Sequence, residues 1–246
     1  MENGEPVIVV EKLNKSFGPN HVLKDFSMEV NSGENLVILG KSGSGKSVLI
    51  KCIIKLIDGD SGNINVLGQN IDDLEQDKLD ELRAKVGFLF QSNALYDSMT
   101  VRENLEFPLR RHWSKEERAD KAEAAVIEAL EDVGLSHTIN MMPAELSGGM
   151  RKRIALARTL ILRPKVILYD EPTTGLDPIT GREISQLMLD VQKKYNATSI
   201  VISHDLNCIK MISNRIIMLI DGKNYVSGTF ESLHLNTDPK VKEFFD

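Results

Sequence analysis

Apolar positions along this chain gather into short unbroken runs separated by amphipathic stretches, the pattern of an open sheet covered by helices on both faces. Such runs stand at Asn35 to Leu39, Val86 to Phe90, Val166 to Glu171, Ser199 to His204 and Arg215 to Ile220. Val7 to Val10 and Phe26 to Val30 read as further strands, the second alternating and therefore half exposed, with a turn at Lys15 to Asn20 between them. Gly62 to Leu67 reads as an outer strand.

Helical spacing fills the intervals. From Val48 to Ile57, one face carries Val48, Leu49, Cys52, Ile53 and Leu56 and another Ile50, Ile54 and Ile57, which leaves only Lys51 and Lys55 as a polar stripe and predicts a mostly buried helix. Leu74 to Ala84 is a short polar helix. Ser114-Lys115-Glu116-Glu117 is a capping box, followed by Ala122, Val126, Leu130 and Val133 until Gly134 stops the repeat. A helix is expected from Leu146 to about Leu162, ending before Pro164, with others at Arg182 to Lys194 and Leu206 to Ile212. Strands alternating with helices imply an α/β fold with a mostly parallel sheet and right-handed crossovers. The expected organisation is one domain over 1–246: a core of 1–91 and 164–228, an inserted helical subdomain at 92–163, and a polar tail at 229–246.

At 246 residues the chain can bury one substantial core. A net charge of −6 argues against nucleic acid as the main partner, since neutralising phosphates takes clustered Lys and Arg. The basic run Arg151-Lys152-Arg153 reads as a solvated helix face. Both cysteines, Cys52 and Cys208, fall in apolar helical patterns, so core positions in a reducing compartment are expected rather than a disulfide. The opening Met1 to Glu5 is acidic and polar where a secretory leader would be basic, then apolar. No apolar stretch reaches bilayer length, so any membrane spans are expected from other chains.

Candidate chemistry begins at Gly40-Lys41-Ser42-Gly43-Ser44-Gly45-Lys46-Ser47, set between a predicted buried strand and a predicted helix. In G-x-x-x-x-G-K-S the glycines let backbone N–H groups approach an oligophosphate, and the helix behind directs its positive end at the same place. Lys46 would then reach the β- and γ-phosphates and Ser47 would ligate Mg²⁺. Phe17, upstream, reads either as core filler or, the reading we favour, as a purine stack.

The other predicted core strands also end in polar groups: Gln91 after Phe90, Asp170 and Glu171 after Tyr169, His204 after Ser203. In an open parallel sheet the carboxyl ends of the strands face one crevice. Singly, Gln91 could be a loop hydrogen-bonder, Asp170 a helix cap and His204 a surface histidine; their joint position favours a site. Phosphoryl-transfer chemistry then gives each a role. Asp170 would hold Mg²⁺, Glu171 would orient and deprotonate the attacking water, and Gln91 would sense the γ-phosphate or the metal. His204 would bond the γ-phosphate or hold the water and Glu171 in register.

With these residues in order, and with Leu146-Ser147-Gly148-Gly149 and Leu176-Asp177 between them, the chain resembles the nucleotide-binding subunits of ABC transporters. The resemblance implies a P-loop NTPase core with an N-terminal antiparallel β subdomain and the helical insertion. It further implies ATP and Mg²⁺ as ligands, Val48 beside the phosphate loop, and a head-to-tail homodimer. Each ATP would lie between one chain's phosphate loop and the Ser147, Gly148 and Gly149 of the other, with Asp177 at the same interface. It also implies ATP hydrolysis coupled to transport beside integral-membrane permease subunits, on the cytoplasmic inner face of the inner membrane. More narrowly, Met150 after the signature, Val48 after Ser47, the stretch Phe90 to Asp97 running into Val101 to Asn104, Pro143-Ala144-Glu145, Asp177 to Thr180 and Asp238 to Phe245 look like the Mla-type ATPases. That likeness implies phospholipid transport between inner and outer membranes, with an MCE lipid-binding protein and a small accessory subunit. A small-solute importer is the nearest alternative, and a soluble ABC module gating a macromolecular contact a more distant one. Leu95, Tyr96, Phe107 and Leu109 are expected in a membrane-subunit groove or in the subdomain core, and the tail either on its own domain or across the dimer.

Overall fold

The computed structural model describes residues 6–245; Met1 to Glu5 and Asp246, including the polar opening, lie outside them. The chain opens with a hairpin of two long strands, β1 (Pro6–Phe17) and β2 (Asn20–Asn31), closed at Gly18-Pro19. Both strands outrun the short apolar segments that predicted them, because irregular register at several points lets the pairing continue through polar residues. The alternation expected over Phe26 to Val30 is observed: Phe26, Met28 and Val30 are buried and Ser27 and Glu29 exposed.

β3 (Asn35–Leu39) leads to α1 (Lys46–Ile53), then β4 (Ser61–Val66), the short β5 (Gln69–Asn70), α2 (Gln76–Ala84) and β6 (Val86–Leu89). The helical insertion holds α3 (Val101–His112), α4 (Lys115–Asp132) and α5 (Gly148–Leu160). After it come β7 (Val166–Asp170), α6 (Pro178–Tyr195), β8 (Thr198–Ile202), α7 (Leu206–Ile212), β9 (Arg215–Ile220), β10 (Lys223–Gly228), α8 (Phe230–His234) and α9 (Pro239–Lys242).

Two sheets result. β2, β1, β4 and β5 form an antiparallel sheet in that order, and the core sheet runs β10-β9-β3-β8-β7-β6. In the core sheet β9, β3, β8, β7 and β6 are parallel and β10 adds an antiparallel edge. Period-2 geometry splits each apolar run between two layers. Val37, Leu39, Ile167, Tyr169, Val201, Ile216 and Met218 join the cluster under the helical insertion. Leu36, Ile38, Val166, Leu168, Ile200, Ile202, Ile217 and Leu219 join the cluster under α1 and the antiparallel sheet. Being buried on both faces, β3, β7 and β8 hold their carboxyl ends rigidly at one rim.

Four expectations need correction. The helix expected to run to Ile57 stops at Ile53, with Lys55 in a left-handed conformation, and Leu56 is 50% exposed rather than on a buried face. β6 lies at the sheet edge, so Gly87 and Phe88 are only half-buried. The polar tail carries α8 and α9, whose Phe230, Leu233 and Val241 enter the core of their own domain. Lys152 is 2% exposed, so of the basic run on α5 only Arg151 is fully on a solvated face.

Candidate functional site

β3 ends at Leu39 and the phosphate loop departs from the rim of the core sheet. Gly40 lies so close to its neighbours that a Cβ there would stand 2.6 Å from the Leu219 carbonyl and 2.7 Å from Ser44 Oγ. Gly45 caps α1 at φ +101°, outside the range that L side chains adopt readily, and a Cβ would meet Val22 Cγ1 at 2.6 Å. The loop therefore curls with its backbone bare. Lys46 follows at the start of α1, 8% exposed, donating from Nζ to the carbonyls of Gly40 (2.7 Å) and Lys41 (3.0 Å). Burial draws its ammonium below the ordinary lysine value, against the pull of Glu171 and Asp170.

Across the rim, β7 brings up its two carboxylates. The Ser47 hydroxyl donates to Asp170 Oδ1 at 3.0 Å, joining the phosphate loop to the end of β7 across 123 residues of chain. Burial raises the Asp170 carboxyl above the usual carboxylate range, opposed by the Ser47 bond. Glu171 turns the chain at φ +52°, an uncommon conformation for a residue with a side chain, and its N–H donates to the Ile202 carbonyl at 2.9 Å. That turn aims the carboxylate along the rim instead of back over the sheet. Its Oε2 accepts from Thr174 Oγ1 at 3.0 Å and stands 2.9 Å from His204 Nδ1, just past the end of β8. With the proton on Nδ1, His204 donates to Glu171 and leaves Nε2 free on a ring that is 67% exposed.

These groups border one cleft of about 780 Å³, lined by Phe17, Gly40, Ser42, Gly43, Gly45, Lys46, Ser47, Val48, Gln91, Glu171 and His204 among others. Phe17 is 48% exposed at its wall, so it is not core filler. Asp170 is buried behind this lining and meets it through its bond from Ser47. The donor set suits a magnesium nucleotide: among the described residues no cluster of three or more His, Cys, Asp or Glu could hold a metal unaided. Mg²⁺ bound with a nucleotide takes only one or two protein oxygens besides phosphates and water, which Ser47 and Asp170 could offer. Ser44 Oγ, in the same loop, is buried without a hydrogen-bond partner among the described residues, a polar group that the protein leaves unsatisfied beside the phosphate site.

Other predicted residues lie apart. Ser147 caps α5, accepting from the Met150 N–H at 3.2 Å, and Ser147 and Gly148 are exposed at the end of the insertion, outside the cleft. Asp177 caps α6 through Oδ1, which accepts from the Ile179 and Thr180 N–H groups at 3.0 and 3.1 Å. In one copy of the chain these residues form no part of the phosphate site. Two contributors escaped the sequence reading: Glu243 of the tail, paired with Lys41 of the phosphate loop at 2.7 Å, and Phe244 in the cleft wall. Only the acidic-aromatic end of the tail signalled them. Cys52 and Cys208 are buried free thiols, as expected. No helix of the described residues is long and apolar enough to cross a membrane.

Comparison with known proteins agrees with this geometry. The ABC transporter family model matches residues 23–174. The chain is 38% identical over 239 residues to a probable ribonucleotide transport ATP-binding protein, mkl, of Mycobacterium leprae, covering 97% of this chain and 68% of that protein. It is 36% identical to the methionine import ATP-binding protein MetN of Campylobacter jejuni, covering 97% of this chain and 75% of that protein. The fold superimposes on the dimeric ATP-binding cassette MJ0796 in a post-hydrolysis state with ADP and Pi, with a TM-score of 0.80, 32% identity and coverage of 91% and 98% of the two chains. It also matches cbiO1 of Clostridium perfringens, part of the cbiONQ transporter complex, with a TM-score of 0.83, 28% identity and coverage of 98% and 99%. The chain belongs to the ABC transporter family, as an ATP-binding and ATP-hydrolysing cassette.

Proposed function

We propose that this chain drives a membrane transporter by hydrolysing ATP between two head-to-tail copies, and that the transported cargo is phospholipid. The observation that carries the catalytic part is the convergence of Ser47, the adjacent Asp170 and Glu171, and His204 on one rim from three separate segments. Lys46 and the N–H groups of the loop bind the β- and γ-phosphates, and Phe17 stacks on the base. Ser47 and Asp170, with Gln91, would hold Mg²⁺, which would supply charge neutralisation at the phosphate oxygens. Glu171 accepts a proton from the attacking water, and His204 holds the Glu171 carboxylate in place while its free Nε2 reaches the γ-phosphate.

Within one chain the cleft is lined by the phosphate loop and the rim, and Ser147, Gly148 and Gly149 take no part in it. Ser147 and the bare Gly148-Gly149 backbone begin a helix of 13 residues whose positive end is exposed, the right chemistry to cover the γ-phosphate from a second copy. Asp177 then stands at the same interface.

The membrane side falls to permease subunits, and we place the protein at the cytoplasmic face of the inner membrane beside them. Leu109 is fully buried and Leu95 packs against the core, but Tyr96 and Phe107 are 42% and 40% exposed with ring centroids 4.7 Å apart. That aromatic pair, just beyond Gln91, is our candidate for the docking contact. Phospholipid as cargo, with an MCE protein and a small accessory subunit as partners, rests on likeness to the Mla-type ATPases at Met150, Val48 and the stretches flanking the motifs. A second reading, import of a small solute, is favoured by the names of the mkl and MetN relatives. Purification of the tagged chain from detergent-solubilised membranes separates them. An MCE protein in the complex supports phospholipid, and a solute-binding protein in its place overturns it.

A further inference from the structure

Lys152 sits on the second turn of α5 with 2% of its surface exposed, while Arg151 beside it faces solvent and Arg153 pairs with Glu183 at 2.5 Å. Taking an ammonium out of water costs several kcal/mol. Among the described residues its one hydrogen bond runs from Nζ to the main-chain carbonyl of Gln91, at 3.0 Å. A single charge-assisted bond, at roughly 1.5–3 kcal/mol, does not offset that cost by itself. Its remaining attraction comes from Asp170 and Glu171 at the end of β7.

The bond is one of a set. Further along the same helix Arg158 donates to the Ala94 carbonyl at 2.8 Å and the Asn93 carbonyl at 3.1 Å. α5 therefore grips three carbonyls of the segment that links β6 to α3. That segment would not hold its shape alone: Asn93 and Ala94 both adopt left-handed backbone, at φ +65° and +53°, and Asn93 Oδ1 is buried without a partner. Around Gln91 to Ala94 its carbonyls are held by the cations of α5, beside a turn bond from the Asn93 N–H to the Phe90 carbonyl at 3.0 Å, while Asn104 of α3 holds the Tyr96 main chain.

We propose that Lys152 is a positioning residue for Gln91. Its ammonium anchors the Gln91 main chain to α5, so that Gln91 at one nucleotide and Ser147 at the other move as one body. This rests on the reading of Gln91 as a nucleotide-facing group. Removing the anchor frees the loop without touching the phosphate loop, so turnover falls while nucleotide binding stays.

The test uses the full chain with Lys152→Met, Lys152→Arg, Gln91→Ala and the Lys152→Met/Gln91→Ala double variant. It follows kcat, KM, ATP affinity and, without nucleotide, amide hydrogen exchange over residues 88–97. Lys152→Met is expected to melt at or above wild type, bind ATP within ~3-fold, and lose ~10–100-fold in kcat through misplacement of Gln91. Exchange over the segment should rise ~10-fold as local opening becomes easier. Lys152→Arg, which can still donate to the carbonyl, should restore both. In the Gln91→Ala background Lys152→Met should cost nothing further, because the two residues act as a unit.

Wild-type kcat and exchange in Lys152→Met, with Gln91→Ala slow, overturns the anchor. So do independent, multiplying losses in the double variant, or a Lys152→Met chain that no longer folds, which would assign the ammonium to the fold. Gln91→Ala at the wild-type rate overturns instead the role of Gln91, while the exchange measurement still reports whether Lys152 holds the loop.

Discussion

Replacing Glu171 by Gln separates binding from chemistry at this site. The side chain is 14% exposed, and its Oε2 takes the Thr174 hydroxyl at 3.0 Å beside His204 at 2.9 Å. An amide has the same shape, and with its oxygen in the place of Oε2 it can still accept from both the Thr174 hydroxyl and the His204 Nδ1–H. The ground state therefore changes by roughly one hydrogen bond, about 1 kcal/mol. The transition state loses a general base worth about 10²–10⁴-fold, or about 3–5.5 kcal/mol at 1.36 kcal/mol per decade. The second quantity dominates, so kcat should fall at least ~100-fold while ATP affinity and melting temperature hold. Phosphate release under saturating MgATP reads the first, and titration with a fluorescent ATP analogue reads the second. A variant that released phosphate within about threefold of the wild-type rate, far short of the loss expected for a missing base, would refute Glu171 as that base.

Three further outcomes are expected. Gly45→Ala, forced to hold a side chain at φ +101° and 2.6 Å from Val22, should lose more than about 1 kcal/mol of stability and most ATP affinity; an unmoved urea midpoint would contradict the strain. Burial pushes the Cys52 and Cys208 thiols up to about 11, so both should resist a disulfide reagent at neutral pH in the native protein and react in denaturant; rapid native labelling would contradict their burial. Deleting residues 236–246 removes fully buried Val241 and the Lys41–Glu243 pair, and should lower the melting temperature of the chain while leaving its ATP-driven dimerisation unchanged. A dimer weakened without loss of thermal stability would mean that the tail reaches across to the partner.

What could be read in the sequence was whatever local physics decides. β3 and β9 have the bounds their apolar runs predicted, and α7 runs from Leu206 to Ile212 as its spacing required. The Ser114–Glu117 box caps α4 as its pattern demands. An identical signal went unused: Thr100 and Glu103 form a capping box that starts α3, and Asp177 before Pro178 starts α6 four residues earlier than the apolar spacing suggested. β10, with little apolar character of its own, forms because β9 offers it an edge, and the tail helices form around Phe230 and Val241. The rim residues Ser47, Gln91, Asp170, Glu171 and His204 were legible because each follows a buried strand or opens the helix after one. Lys152 was not, since a charged side chain in a basic run looks solvated until the chain that covers it is in place. The contact between the tail and Lys41, 202 residues apart, carries no local signal at all.

The central claim is that two copies complete each nucleotide site, and the mass of Glu171→Gln protein in solution tests it most directly. With MgATP the variant should sediment as a dimer of about twice 27.5 kDa holding two nucleotides, and a further Ser147→Arg change should return it to monomer with ATP still bound. A Glu171→Gln chain that saturates with MgATP and remains a monomer at micromolar concentration, in the absence of any Ser147 change, would contradict it.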